Sequence, residues 1–263
     1  MIPPTTELYG CWKRGRTCRA RITLLRLRCR SSNRTQPRPI LKCKPEQTLN
    51  SKSTIQCPGA SAAPVPARWR REVERVLVTE EQIARRVRQL ARQIERDFRG
   101  RELVVVSLLN GTVMFLADLL RHIAIPLRLD FIGVTSYGPG TESGELIVTK
   151  ELRLDVRGRD VLVVDDILDT GKTLSYVLPR LHALKPRRIR VCVLLDKPSR
   201  RVEDVQADYV GFQIPDYFVV GYGLDFAERY RNLPFIGVLY PRIYKQVCKT
   251  VVVNHSHKPR RRT

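Results

Sequence analysis

Apolar residues fall along the chain in two alternating rhythms. Val161–Val164, Leu103–Leu109 and the later part of Arg188–Leu195 are near-continuous apolar runs rich in β-branched residues. Runs of this length and makeup suit strands buried on both faces of a parallel sheet. Elsewhere the period is helical. Ile83, Val87, Leu90 and Ile94 predict a helix over Glu80–Phe98, with Thr79 as its cap and Glu81 and Gln82 just inside. Further helices are predicted at Val113–Ile123 and Leu174–Leu184. Further strands are predicted at Leu127–Val134, Leu146–Leu152, Tyr209–Phe212, Tyr217–Val220 and Ile236–Leu239. Strand–helix–strand order argues for an α/β fold around a parallel sheet with right-handed crossovers.

The first 70 residues show neither rhythm, and the folded part is expected to begin near Glu72. Charge separates the same segments. Residues 1–70 carry 15 Lys/Arg against 2 Asp/Glu, and residues 241–263 carry 7 against none, so only +2 of the net +22 belongs to the middle. An argument for polyanion binding from overall basicity therefore concerns the ends alone. This gives three expected segments: a basic, disordered extension over 1–70, a folded domain over 71–240, and a basic tail over 241–263. Pro58–Pro66 reads as a flexible linker. For residues 1–70, a disordered arm or translation from a start codon placed too far upstream is favoured over a functional tail; a targeting peptide fits the Arg-rich, acid-poor composition, but cysteines and prolines spoil its amphipathic helix. Five of the seven cysteines lie there with wide, irregular spacing and no CxxC pair, which argues against a zinc ribbon. Cys192, in an apolar strand pattern, reads as a buried small hydrophobe, and the core has no disulfide framework, which fits a cytoplasmic location. His255 and His257 read as part of a solvated tail. No apolar run approaches the roughly 20 residues of a membrane span.

The chemistry is concentrated in VLVVDDILDTGKTL (161–174). Asp165 and Asp166 follow the apolar run, at the strand end where open α/β sheets bind ligands. Gly171 permits a tight turn. The N–H groups opening the next helix, with the Thr170 and Thr173 hydroxyls, form an anion cup. Carboxylates beside such a cup suit a sugar phosphate. The GxxxxGK[ST] spacing of a Walker A loop is missing. The stretch resembles the phosphoribosyl-diphosphate (PRPP) loop of type I phosphoribosyltransferases. Thr135–Glu145 (TSYGPGTESGE), polar and glycine-rich, is either a solvated hairpin loop or a lid over a substrate that water would destroy.

Five ordered blocks extend the resemblance over about residues 72–240: LLNGTVMFLADLLR (108–121), FIGVTSYG (131–138), the central stretch, LLDKPSRR (194–201) and VGFQIPDYFVVGYGLDFAERYRNLP (210–234). In that order they are similar to bacterial hypoxanthine (hypoxanthine-guanine) phosphoribosyltransferases. The resemblance implies a type I phosphoribosyltransferase fold: a central, mostly parallel sheet flanked by helices, with a small hood and a flexible lid loop. It also implies site residues. Asp169 would be the general base facing purine N7. Asp165 and Asp166 would hold the ribose hydroxyls and touch a Mg²⁺. Thr170, Gly171, Lys172 and Thr173 would cradle the 5′-phosphate. Asn110 and Gly111, after a cis peptide, would form the pyrophosphate loop with Arg231. Lys197 would donate to a 6-oxo group, Phe218 would stack on the purine, and the Val219 backbone would meet its 2-position edge. Asp225 would bind a second Mg²⁺, and Ser136 and Tyr137 would be lid residues.

Taken singly, Lys197 also reads as a surface lysine, Phe218 as a core aromatic and Asp225 as the cap of a helix over Phe226–Arg231. As a set they imply purine salvage from PRPP and a 6-oxopurine by a soluble homo-oligomer, dimer or tetramer, with no membrane partner. A close alternative is a relative preferring xanthine. A rival is a nucleotide-responsive regulator on the same fold, holding nucleic acid through its basic tails; none is expected on the core. Asp169, Lys197 and Asp225 weigh toward the enzyme, because a pure binder needs no general base. No Ser-His-Asp set or GxGxxG motif accompanies them, so covalent hydrolase and dehydrogenase readings fall away.

Overall fold

The computed structural model describes residues 55–56, 63–136 and 146–245. Its strands are β1 (Ile55–Gln56), β2 (Val73–Val78), β3 (Leu103–Leu109), β4 (Leu127–Ser136), β5 (Leu146–Lys150), β6 (Asp160–Leu168), β7 (Arg188–Asp196), β8 (Tyr209–Gln213), β9 (Val219–Val220) and β10 (Ile236–Leu239). Its helices are α1 (Glu80–Asp97), α2 (Val113–Arg121) and α3 (Lys172–Ala183). The main sheet runs β1-β8-β7-β6-β3-β4-β5, parallel except for β5 on β4. A three-stranded antiparallel sheet, β2-β10-β9, forms the hood.

The period of two in the apolar runs sorts side chains between two cores. Leu103, Val105, Leu162, Val164, Cys192 and Leu194 point to the face covered by α1 and α2. Val104, Val106, Val161, Val163, Val191 and Val193 point to the face covered by α3. Both faces are dry, which is why the strands carry no polar alternation. Cys192 is fully buried, and burial pushes its thiol well above the usual range. A capping box joins Thr79 and Gln82 at the start of α1.

Several boundaries differ from the sequence expectation. Structure begins ahead of Glu72, because Ala63, Val65 and Trp69 pack on the hood core. It continues past residue 240, where Ile243 and Tyr244 join the same core. β2 was not foreseen. β6 runs four residues beyond Val164, α2 stops at Arg121, and α3 begins at Lys172. Tyr217 sits in a turn, its N–H donating to the Pro215 carbonyl at 2.7 Å, so β9 starts only at Val219. Phe226–Arg231 is not a helix. Ala227, Glu228 and Tyr230 have φ of 52°, 59° and 77°, and the Asp225 carboxylate accepts from the Glu228 N–H at 3.0 Å, closing a turn. Residues 1–54, 57–62 and 246–263, with Tyr137 and most of the lid segment, lie outside the described residues.

β5 ends at Lys150 rather than Leu152, and the cause is Asp130. Its carboxylate takes the N–H groups of Arg153 and Leu154 (2.6 and 2.9 Å) and the Lys150 ammonium (2.9 Å), ending the ladder. Burial by itself raises this carboxyl, but the Lys150 bond and the N–H groups of Leu154, Arg153 and Phe131 outweigh it and hold the group well below the usual carboxylate range. A depressed pKa gives stability that is full above the unfolded value near ~4 and is lost as pH falls below it. Asp130→Asn is therefore expected to cost about 1.5–3 kcal/mol at neutral pH. Thermal denaturation should show it, with a gap between wild type and variant that narrows on acidification.

Candidate active site

The main sheet splits at its C-terminal edge. β3 pairs with β6 only as far as Ser107–Val164. Beyond that, β3 continues against β4 through Leu109–Gly133, and β6 continues against β7 through Leu168–Asp196. The chain leaves β3 through α2 on one face and leaves β6 through α3 on the other. Open α/β sheets bind ligands at such a reversal.

A cavity of about 300 Å³ fills the split, lined by Asn110, Gly111, Asp165, Asp166, Asp169, Thr170, Gly171, Thr173, Asp225 and Arg231, with Val134 and neighbouring strand residues completing it. Lys172 is not among its lining; it opens α3, its N–H 3.5 Å from the Thr170 hydroxyl. Gly171 caps the helix with φ 89°, a conformation that costs glycine nothing. The loop is tied down by the segment after β7. Val202 and Glu203 donate their N–H groups to the Thr170 carbonyl (3.0 and 3.1 Å), and Arg201 donates to the Asp169 carbonyl at 2.9 Å. Arg201 is itself paired with Asp196. Thr170, Gly171 and Thr173, at the α3 N-terminus, thus line the cavity on a fixed frame.

The Leu109–Asn110 peptide is cis, as the resemblance implies. Gly111 presses on Asp166: a Cβ there would lie 1.7 Å from Asp166 Oδ2. On the far side, a Cβ at Gly223 would lie 2.0 Å from the Gly111 carbonyl oxygen. Asp165 is 7% exposed. Its Oδ1 accepts from the Asp166 N–H at 3.0 Å, and Asp166 Oδ1 accepts from the Ile167 N–H at 2.8 Å. Burial pushes both carboxyls up, Asp165 well above the usual range because the Asp166 charge adds to it. Arg231 is held by the Gly223 carbonyl (2.9 Å) and by the carboxylates of Asp225 (2.9 Å) and Glu228 (3.0 Å).

A second cavity, about 530 Å³, shares Asp166, Ile167, Asp169 and Asp225 with the first and adds Lys197, Phe218 and Val219. Lys197 is only 6% exposed. Its ammonium lies 3.9 Å from both Asp169 and Asp216; burial pushes its pKa down while the two carboxylates oppose that. Phe218 is 37% exposed, so its ring faces the cavity rather than the core. Asp169 stands on the border of the two cavities and pairs with Arg200 at 3.2 Å. Sequence reasoning missed Arg200, Asp216, Ile167 and Tyr244 as lining residues. The first three sit inside the recognised blocks and gave that much signal; Tyr244 lies in the basic tail and gave none. Ser136 ends β4 at its backbone.

Among the described residues no three His, Cys, Asp or Glu side chains cluster as a metal cage, and no helix is long and apolar enough to cross a membrane.

Residues 77–227 match the Phosphoribosyl transferase domain family. The hypoxanthine-guanine phosphoribosyltransferase of Bacillus subtilis is 46% identical over 175 residues, 66% of this chain and 97% of that one. The bifunctional protein TilS/HprT of Listeria monocytogenes is also 46% identical over 176 residues; this chain spans only 27% of its length. A solved hypoxanthine-guanine phosphoribosyltransferase from Bacillus anthracis superposes with a TM-score of 0.61 at 46% identity, covering 64% of this chain and 99% of that one. A hypoxanthine phosphoribosyltransferase from Staphylococcus aureus gives 0.65 at 44%, covering 69% and 99%.

Proposed function

The chain belongs to the phosphoribosyltransferase family, in the group of its hypoxanthine-guanine relatives, and from that premise we propose that it transfers the 5-phosphoribosyl group of PRPP to hypoxanthine or guanine, giving IMP or GMP and pyrophosphate. The observation that carries this is the pair of joined cavities: one lined by carboxylates and helix-terminal N–H groups, the other by a buried lysine and an aromatic ring, with Asp169 on their border.

Each group has a task that its chemistry fits. The N–H groups of Thr170–Thr173 hold the 5′-phosphate, and Asp165 and Asp166 accept from the ribose hydroxyls. Asn110, Gly111 and Arg231 face the pyrophosphate. Lys197, a donor only, meets the 6-oxo acceptor; adenine presents a 6-amino donor there and is rejected. Phe218 stacks on the ring and the Val219 backbone meets its 2-position edge. Purine N9 forms its bond to the anomeric carbon as the bond to pyrophosphate breaks, and Asp169 accepts the N7 proton. Ser136, and Tyr137 outside the described residues, would be lid residues that keep water from the donor.

The donor set fits Mg²⁺, which takes one or two carboxylates plus substrate phosphates rather than an all-protein cage. The Asp165–Asp166 pair would touch one ion and Asp225 would hold a second, and these would neutralise charge on the departing pyrophosphate. The same reading makes the protein a cytoplasmic homo-oligomer, a dimer or tetramer. The relatives favour it over the regulator.

The test is PRPP- and Mg²⁺-dependent conversion of hypoxanthine, guanine, xanthine and adenine by wild type and Lys197→Gln. Wild type should convert 6-oxopurines and leave adenine. The variant should lose about 10- to 100-fold in kcat/KM for hypoxanthine and discriminate less against adenine, since a buried acceptor loses its partner. Nucleotide binding without turnover of any 6-oxopurine would overturn the proposal.

A further inference from the structure

We propose that Tyr244 is a positioning residue of the purine subsite, acting through the ring of Phe218; this rests on the purine reading of the second cavity. Tyr244 lies in the short helical turn 241–245, beyond the stretch that matches the family. Its ring stacks on Phe218 with centroids 4.6 Å apart and planes 14° from parallel, and both rings line the cavity that holds Lys197. Phe226 meets the same Phe218 ring edge-on, 5.4 Å away at 90°.

Phe218 needs such support. It stands just ahead of the two-residue strand β9 and is 37% exposed, so little of the core restrains its two side-chain torsions. Tyr244, by contrast, is anchored. The Leu239 N–H donates to the Phe218 carbonyl, the Tyr240 N–H to the Glu72 carbonyl (both 3.0 Å), and the Ile243 N–H to the Tyr240 carbonyl at 2.9 Å. Arg242 donates to the Arg71 carbonyl at 2.6 Å, and Ile243 and Tyr244 pack on the hood core. An aromatic ring offers two faces. Tyr244 stacks on one of them and fixes the plane of the Phe218 ring beside Lys197, which preorganises the platform for a planar base. The phosphate cup lines the other cavity, and neither Phe218 nor Tyr244 carries a group that takes up a proton, so the contribution falls on base binding.

Steady-state kinetics of the full chain test this with Tyr244→Ala, Tyr244→Phe, Phe218→Ala and the double alanine variant. Tyr244→Ala should raise the KM for hypoxanthine roughly three- to tenfold, the size of one aromatic pair. The KM for PRPP and kcat should stay within about twofold, the signature of lost uniform binding of one substrate. Tyr244→Phe should restore the wild-type value, since the ring and not the hydroxyl acts. In the Phe218→Ala background, Tyr244→Ala should add nothing. Equal rises in both KM values, or additive effects in the double variant, would mark Tyr244 as merely structural and overturn the inference while leaving the enzyme reading intact. A wild type without purine turnover would overturn both.

Discussion

Asp169→Asn is expected to lower kcat for phosphoribosyl transfer by about 10²–10⁴-fold, the range for a positioned general base, while both substrates still bind. Asparagine keeps the shape of the side chain and an oxygen that accepts from Arg200, which lies 3.2 Å away in the wild type. It cannot take up a proton. Asp169 lines both cavities; on the proposed reaction it would stand beside the bond being made and the purine nitrogen that must lose its proton as N9 attacks. Hypoxanthine cannot shed that proton to Lys197, which is a donor. The measurement is kcat together with the KM values for PRPP and hypoxanthine. A fall confined to kcat marks a group needed in the transition state, whereas a rise in KM with kcat unchanged would make Asp169 a binding residue and sink the assignment.

The sheet was legible in the sequence because its strands are buried on both sides. Leu103–Leu109 and Ile236–Leu239 were delimited to the residue, since apolar runs end where burial ends. The same signal fails where pairing and hydropathy part company. β6 continues through Asp165 and Asp166, held by its ladder to β7 after β3 has turned away, and hydropathy sees two carboxylates as a strand's end. Phe226–Arg231 has the composition of a helical turn, but three of its residues adopt positive φ. The candidate site was legible as blocks rather than as geometry. That Asp169 faces Arg200, or that Tyr244 reaches back to Phe218, depends on segments that only the folded hood and sheet bring together.

Gly111→Ala has the second large effect, and the structure separates its cost to activity from its cost to stability. The added methyl would sit 1.7 Å from Asp166 Oδ2 and 2.8 Å from its Cγ, and nothing in the backbone is met as closely. The least costly response is therefore rotation of the Asp166 carboxylate out of its seat on the Ile167 N–H, with the main chain of both loops in place. The protein should fold, with a melting temperature near that of wild type. Yet a group lining the first cavity is displaced by an ångström or more, and misplacement of that order costs about 10²-fold. The loss should appear in kcat/KM for PRPP. Gly158→Ala supplies the contrast. Its φ is 67° and its surroundings are open, so alanine there should cost about 1 kcal/mol of backbone strain and leave turnover unchanged. If Gly111→Ala retained wild-type kcat/KM for PRPP, Asp166 could not be holding the donor, and the carboxylate pair would have to be read as Asp165 alone.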